Sequence, residues 1–469
     1  MAIDLEALYI DLHQHPELSF QETRTAGIAA QHLRDLGLEV EEGVGVTGVV
    51  GVLRNPSTSS GAQGSGPSTS SGSQGSGPST SSGTQDGPST SSGSQGSGPS
   101  TNSGTQGSGP STSSGTQVEE FPRPVVWVRA DMDALPVEEQ TGLAYASTAK
   151  GVDPAGTTVP VMHACGHDMH VTAMIGAVQK LVAERAEWSG TLVVLIQPAE
   201  EYGAGARAML DDGLLARYPK PDVVLGQHVT PLPAGIIGVR SGTQMAASDG
   251  LTVTLHGRGG HGSRPHATID PVVMAAATVM RLQTIASREI DPQGVAVVTV
   301  GSIHAGLKNN IIPAEAKLEL SLRYPNEDAR EKVLKSVERI VRAEAMASGA
   351  EREPEIHTQH TLPATINDEE ATARVSSALR RALGDSAVVD PGMFTGSEDV
   401  SWFARDAEVP LVFWFWGGVD PARFAEALAA GTVEKDIPTN HSPFFAPEIH
   451  PTIEVGVTAM SAAAREFLA

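Results

Sequence analysis

Leu5, Leu8 and Leu12 recur at helical spacing near the start of the chain and predict an amphipathic first helix. A second helix is expected from Ser19, which forms a capping box with Glu22, to near Gly37. Apolar runs and helical periodicity then alternate. The pattern predicts strands at 46–55 and 125–130, a helix at 168–185 and a strand at 191–196. A short helix after Gly205 and a strand at 222–226 follow. Such alternation is the wiring of an α/β domain with a mostly parallel sheet.

The pattern changes near residue 243. A strand at 250–256 leads through a Gly-rich loop to a helix at 269–288, then strands at 295–301 and 315–323. A helix at 326–347 carries Val333, Val337, Ile340 and Val341 on one face, and a strand at 354–360 closes the unit. The order β-α-β-β-α-β is that of a ferredoxin-like α+β domain. The α/β pattern resumes with helices at 368–383 and 398–405, the strand 411–416 and a last helix at 452–468. The expected architecture is a discontinuous α/β catalytic domain, 1–242 and 361–469, interrupted by a lid and dimerisation domain at 243–360.

One segment follows neither pattern. From 56 to 117 the chain is a Pro/Ser/Thr/Gly/Gln tract whose prolines stand at 56, 67, 78, 88, 99 and 110. A repeat without an apolar face cannot stack into a solenoid, so a disordered insertion is expected. The runs on either side, VTGVVGVLRN and VVWVRADMDALP, read as buried strands, which makes the tract an expanded hairpin loop.

Composition narrows the functional classes. The 469 residues carry 32 Lys+Arg against 55 Asp+Glu, a net charge of −23. A chain this acidic is not built to coat nucleic acid or an anionic membrane surface. The single cysteine, Cys165, excludes an internal disulfide framework. No apolar run approaches the roughly 20 residues of a membrane span, and the N-terminus lacks a secretory pattern. A cytoplasmic protein is expected.

The chemistry concentrates in four places. In MHACGHDMH, Cys165 and His167 flank one residue at a strand-to-helix junction, with Asp168 as an expected helix cap. A helix N-terminus favours thiolate, and thiolate beside imidazole is a ligand set for a borderline-soft divalent ion. An isolated pair of this kind is more often an inert buried cysteine. The strand at 191–196 runs into QPAEEYGAG, which puts Glu200 and Glu201 at a strand mouth. Two adjacent carboxylates suit a hydrolase, one holding metal and one taking a proton from water. His228 is expected at a neighbouring strand terminus and His441 in a Pro-bounded loop. Alone, each reads as structural. Together Cys165, His167, Glu201, His228 and His441 are too many ligands for one catalytic zinc and suit two ions sharing a bridge. Asp131 and Asp133, in RADMDALP, are placed to orient ligand imidazoles.

The segments LHQHPELSFQE, RADMDALPVEE, MHACGHDMHVTAM, QPAEEYGAGARAML, GGHGSRPH, NNIIP, GSEDVSWF and IPTNHSPFF occur in one order. In that order the chain resembles the metal-dependent amidohydrolases of the aminoacylase and carboxypeptidase metallopeptidase family. The similarity is to the hippurate hydrolase and indole-acetyl-amino-acid hydrolase-like members. The resemblance implies a metal centre of Cys165, His167, Glu201, His228 and His441, with Glu200 as general base. It implies that His261 assists at the transition state and that Asn310 and Arg323 contact substrate. It further implies two divalent ions per subunit, zinc or manganese first, cobalt or nickel next. The substrate would be a small N-acyl amino acid, and a homodimer would form through the lid.

Rival readings remain at this point. A metallo-carboxypeptidase or dipeptidase would use the same residues. A thiol amidase of Cys165 and His167 is disfavoured, because a pair one residue apart aims better at a common ion than at each other. A silent metal-binding protein has no need of Glu200 beside Glu201. His163 and His170 carry no assigned ligand role.

Overall fold

In the computed structural model, residues 2–56 and 123–468 are described. The repeat tract expected to be disordered therefore lies outside the described residues, Pro56 excepted. Twelve of the strands concern the argument. They are β1 (Glu39–Val44), β2 (Gly48–Asn55), β3 (Val125–Asp131), β4 (Gly190–Gln197), β5 (Val223–Pro233) and β6 (Ile237–Gly238), then β7 (Ala247–His256), β8 (Val297–Ala305), β9 (Glu315–Tyr324), β10 (Glu355–Leu362), β11 (Val388–Val389) and β12 (Leu411–Val419).

Among the described residues, the larger sheet has the order β1-β2-β4-β3-β5-β12-β6-β11. Its centre, β4-β3-β5-β12, is parallel throughout, as the alternating pattern predicts. Both faces are covered, which explains why these strands read as continuous apolar runs. One face packs Val126, Val128, Val194, Leu225 and Trp414 against the helices Leu5–Gln14, Thr23–Asp35, His167–Ala183 and Thr452–Leu468. The other packs Trp127, Val193, Leu195, Phe413 and Phe415 against Gly205–Asp211 and Ser401–Ala407.

The second sheet is antiparallel, in the order β8-β9-β7-β10. Helices Pro271–Thr284 and Glu327–Ala347 cover one face, and Leu251, Val253, Leu318, Val333, Val337 and Val341 fill the space between. This is the ferredoxin-like order expected of the lid. Its edges among the described residues are β8 and β10.

Three local expectations are corrected. First, β2 and β3 do not form a hairpin. Both pair with β4, on opposite sides: Asn55 faces Gly190 and Val125 faces Thr191. Asn55 and Val125 are therefore two interstrand spacings apart, about 10 Å. Second, Ser19 and Glu22 make no capping box. The helix starts at Thr23, and its amides at Arg24 and Thr25 donate to Glu17 at 3.0 and 2.8 Å. Third, Asp168 lies inside its helix with no capping bond across the turn, and Gly166 is the N-cap. The Asp168 carboxylate instead lies 2.7 Å from Nδ1 of buried His13. The helix Pro421–Ala430 was not anticipated.

Candidate metal centre and catalytic cleft

The parallel strands carry their C-terminal ends to one edge, and the site residues gather there. β3 ends at Asp131, with Asp133 two residues beyond. β4 ends at Gln197, and the chain turns through Pro198 and Ala199 to Glu200 and Glu201. His228 is not at a strand terminus as expected. It sits within β5, which continues two residues past its last pairing with β3 and onward to Pro233. The turn before helix His167–Ala183 needs a glycine at 166, where φ is +84° and a Cβ would lie 2.5 Å from Val229 Cγ1.

All five residues expected to hold metal come together. Ligand atoms of Cys165, His167 and Glu201 lie within 4.8 Å of one another. His228 Nε2 is 3.4 Å from Cys165 Sγ, and His441 Nε2 is 3.4 Å from Glu201 Oε2. The His441 loop is tied down from both sides. Its backbone N–H donates to Ala164 at 2.8 Å, and Asn440 Nδ2 donates to the carbonyls of Cys165 and Val229, each at 3.1 Å.

Two buried atoms in this group have no hydrogen-bond partner, His167 Nε2 and Glu201 Oε1, and they lie 3.9 Å apart. Buried polar atoms are ordinarily satisfied, so two convergent orphans beside a thiol are what a cation would satisfy. The residues present therefore fit a metal.

The electrostatics agree, with one correction. Burial and the nearby Glu201 and Glu200 push the Cys165 thiol well above its ordinary range, so the helix terminus does not supply the thiolate. Only a bound cation would. Burial lowers His167, but Asp131 and a hydrogen bond with Asp133 outweigh it and hold the group up at about 10. That surplus of negative charge is what a dication would take up. Burial drives His228 well below the usual range, which keeps its imidazole neutral. Burial, then Glu398 and Glu201, raise Glu200 well above a normal carboxylate, the direction a proton carrier needs.

Asp133 Oδ1 is 3.2 Å from Nδ1 of His167, the imidazole it was expected to orient. It also accepts the backbone N–H groups of Glu200 at 3.2 Å and Glu201 at 3.1 Å, and the Ser19 hydroxyl at 2.7 Å. Asp131 differs. Its closest partners are His170 Nδ1 and Arg129 Nη1, while His167 Nε2 is 3.5 Å away. His170 Nε2 accepts the Val229 N–H at 2.9 Å, so both its ring nitrogens are engaged and it has no free donor for a metal. His163 is buried with neither ring nitrogen bonded, and burial lowers it to about 4.

Sequence reasoning missed one network. Arg129, fully buried, donates to Glu398 at 2.7 and 3.2 Å, to Asp131 at 2.8 Å and to Asp399 at 3.2 Å. Glu398 and Asp399 bring carboxylate oxygens within 4.8 Å of Glu200. The signal was the charged residue in the apolar run VVWVRAD, which has to be paired if buried.

Cys165, Glu201, His228 and His441 open into a cleft of about 620 Å³ whose far wall comes from the second sheet, including Ser248, Arg323 and Leu362. Arg323 Nη1 donates to the Ser397 hydroxyl at 2.8 Å and to the Thr395 carbonyl at 3.2 Å. His261 and Asn310 do not line this cleft. They lie together on a separate ribbon: His261 pairs with Ile311, and the Gly262 N–H donates to the Asn310 carbonyl at 2.8 Å. His261 is exposed, its Nδ1 bonded only within its own turn to Ser263.

An α/β sheet that gathers thiol, imidazole and carboxylate donors at its strand ends, under a smaller α+β lid, defines a metal-dependent hydrolase. Residues 127–440 match the model of peptidase family M20/M25/M40, and the chain belongs to that family. It is a hydrolase of amide bonds. It is 33% identical over 410 residues to thermostable carboxypeptidase 1 of Saccharolobus solfataricus, covering 87% of this chain and 84% of that protein. It is 31% identical over 412 residues to hippurate hydrolase of Campylobacter jejuni, covering 87% of each. The solved Bacillus subtilis YXEP protein, a dinuclear metal binding peptidase from the M20 family, superposes with a TM-score of 0.68 at 26% identity. That match covers 99% of this chain and 97% of YXEP. No helix among the described residues is long and apolar enough to cross a membrane.

Proposed function

We propose that the protein hydrolyses the amide bond of N-acyl amino acids, with Glu200 as general base and then general acid. The observation that carries this reading is a division of labour between neighbours. Both line the cleft and both lie about 4 Å from His167 Nε2, but Glu201 carries a buried oxygen without a hydrogen-bond partner and groups with Cys165, His167 and His441, whereas Glu200 groups with Glu398 and Asp399, with its proton affinity raised by burial and by their charge.

Cys165, His167, Glu201, His228 and His441 would hold two divalent ions, zinc or manganese. Such ions, when bound, polarise the scissile carbonyl and make water a stronger acid. Glu200 removes a proton from the attacking water as its oxygen bonds to the carbonyl carbon. Glu200 then returns that proton to the amide nitrogen as the C–N bond breaks, since an unprotonated amine leaves poorly. The lid, taken as residues 243–360, supplies Arg323 to the substrate's carboxylate end. His261 donates to the developing oxyanion, and Asn310 beside it contacts substrate. Both lie on a ribbon outside their own chain's cleft, which supports their entry into the partner's cleft in a homodimer paired through the lid sheet.

The test is a panel of N-acetyl, N-benzoyl and N-indoleacetyl amino acids, with peptides alongside, on the purified enzyme, with metal analysis and a chelator arm. Hydrolysis that a chelator abolishes and added zinc or manganese restores is the expected result. Cleavage restricted to peptides with a free C-terminal residue would replace the reading with a carboxypeptidase one. No hydrolysis, or hydrolysis that survives chelation, would overturn it.

A further inference from the structure

We infer that Glu22 is a positioning residue for the reaction: its carboxylate holds Ala199 in the left-handed backbone conformation that delivers Glu200 into the cleft. The inference rests on Glu200 being the base.

The turn between β4 and Glu200 is unusual in its backbone. Ala199 has a φ of +47°, in the left-handed region, where a side chain crowds the following carbonyl and glycine is the ordinary occupant. Residues held this way persist only where the surroundings over-determine them, and they concentrate at functional sites. Here the over-determination can be read bond by bond. The Ala199 N–H donates to Glu22 Oε1 at 2.9 Å. Its carbonyl accepts the N–H groups of Gly205 at 3.1 Å and Ala204 at 3.3 Å. The next two amides, of Glu200 and Glu201, donate to Asp133. Three successive N–H groups are thus held by two carboxylates.

Glu22 is committed to this task. It is 0% exposed, and its remaining bonds anchor it: Phe20 N–H donates to Oε1 at 2.9 Å and the Thr47 hydroxyl to Oε2 at 2.6 Å. It makes no side-chain cap for the helix that follows, since Glu17 takes those amides. Burying a carboxylate is costly, and this one is met by three donors, the Phe20 and Ala199 N–H groups and the Thr47 hydroxyl. Unlike Asp133, Glu22 makes no hydrogen bond to a residue expected to hold metal. Its contribution is therefore separable from metal binding.

The experiment compares wild type, Glu22→Leu, Ala199→Gly and the double variant in the metal-loaded full chain. It reads kcat, KM, bound metal and Tm. Leucine keeps a similar size but removes both acceptor oxygens, so the Ala199 N–H loses its partner. Glu22→Leu should therefore lower kcat by about 10- to 100-fold, with KM and bound metal near wild type. Glycine adopts positive φ without a Cβ clash, so Ala199→Gly in the Glu22→Leu background should restore most of the lost kcat and raise Tm. A purely structural role would not tie recovery of kcat to residue 199. Thr47→Val, which loosens Glu22 without changing any charge, should show a smaller loss with the same recovery. It serves as the test if Glu22→Leu fails to fold. Absence of recovery with Ala199→Gly, or metal loss in step with kcat, overturns the inference. If wild type hydrolyses no N-acyl amino acid, the proposed function fails instead, while the Tm coupling between positions 22 and 199 still decides the positioning claim.

Discussion

The Nδ1 atom of His167 lies 3.2 Å from Oδ1 of Asp133. A ligand imidazole needs its second nitrogen fixed to aim the first, and Asp133 does this while gripping the amides of Glu200 and Glu201. One carboxylate thereby fixes both His167, the proposed metal ligand, and Glu200, the proposed base. Asp133→Asn should weaken metal affinity by about 10- to 100-fold, and turnover should fall further than the metal loss explains. Metal titration of the apo-protein, compared with kcat at saturating metal, would reveal this. Wild-type affinity in the variant would mean that Asp133 is not the orienting group.

The neighbouring glutamates should separate cleanly. Glu201→Ala removes the oxygen that faces His167 and should lose bound metal. Glu200→Ala should keep metal near the wild-type content and lose turnover by two or more orders of magnitude, roughly the value of a general base. Elemental analysis of both purified variants decides the matter, and equal metal loss in the two would contradict the assignment.

The stretch 57–122, which holds nearly all of the repeat tract, should be dispensable if its replacement is long enough. Asn55 and Val125 pair with Gly190 and Thr191 on opposite sides of β4, so the linker must cross a strand end. At about 3.3–3.6 Å per residue, a two-residue turn joining Asn55 directly to Val125 reaches only about 10 Å with no slack for the change of direction, whereas six residues placed between Pro56 and Arg123 leave ample slack. Replacement by six Gly/Ser residues should preserve Tm and turnover. A two-residue hairpin turn should destabilise the fold. Loss of activity with the longer linker would show that the tract contributes to function.

Residue His261 offers a test of shared sites. His261→Ala should retain metal and lose about 10²–10³ in rate, the scale of one lost oxyanion donor. Mixing it with Glu200→Ala, under conditions where subunits exchange, should regain part of the activity. A mixed dimer would hold one cleft with both groups intact. Exchange without any recovery would place His261 in its own chain's cleft or outside catalysis.

The proposed ligands and the proposed base could be nominated from the sequence because their chemistry is local. A CxH pair before a helix and an acidic pair after an apolar strand have few other reasons to occur in one chain. Strand and helix periods were legible for the same reason, since burial on one or both faces imposes a repeat on neighbouring residues. The tertiary structure decided which partner each charged group meets. Asp168, read as a cap, meets His13. Ser19, read as a cap, donates to Asp133. Glu22, read as its capping partner, holds Ala199. Each of these side chains can satisfy a backbone amide locally or a group more than a hundred residues away, and sequence spacing ranks only the local choice. The same limit explains the hairpin that does not exist. The apolar pattern marks β2 and β3 as buried strands, but the strand between them, β4, arrives from far along the chain. Strand order is a property of the assembled sheet, because any buried strand offers the same row of backbone donors and acceptors to whichever neighbour packs beside it.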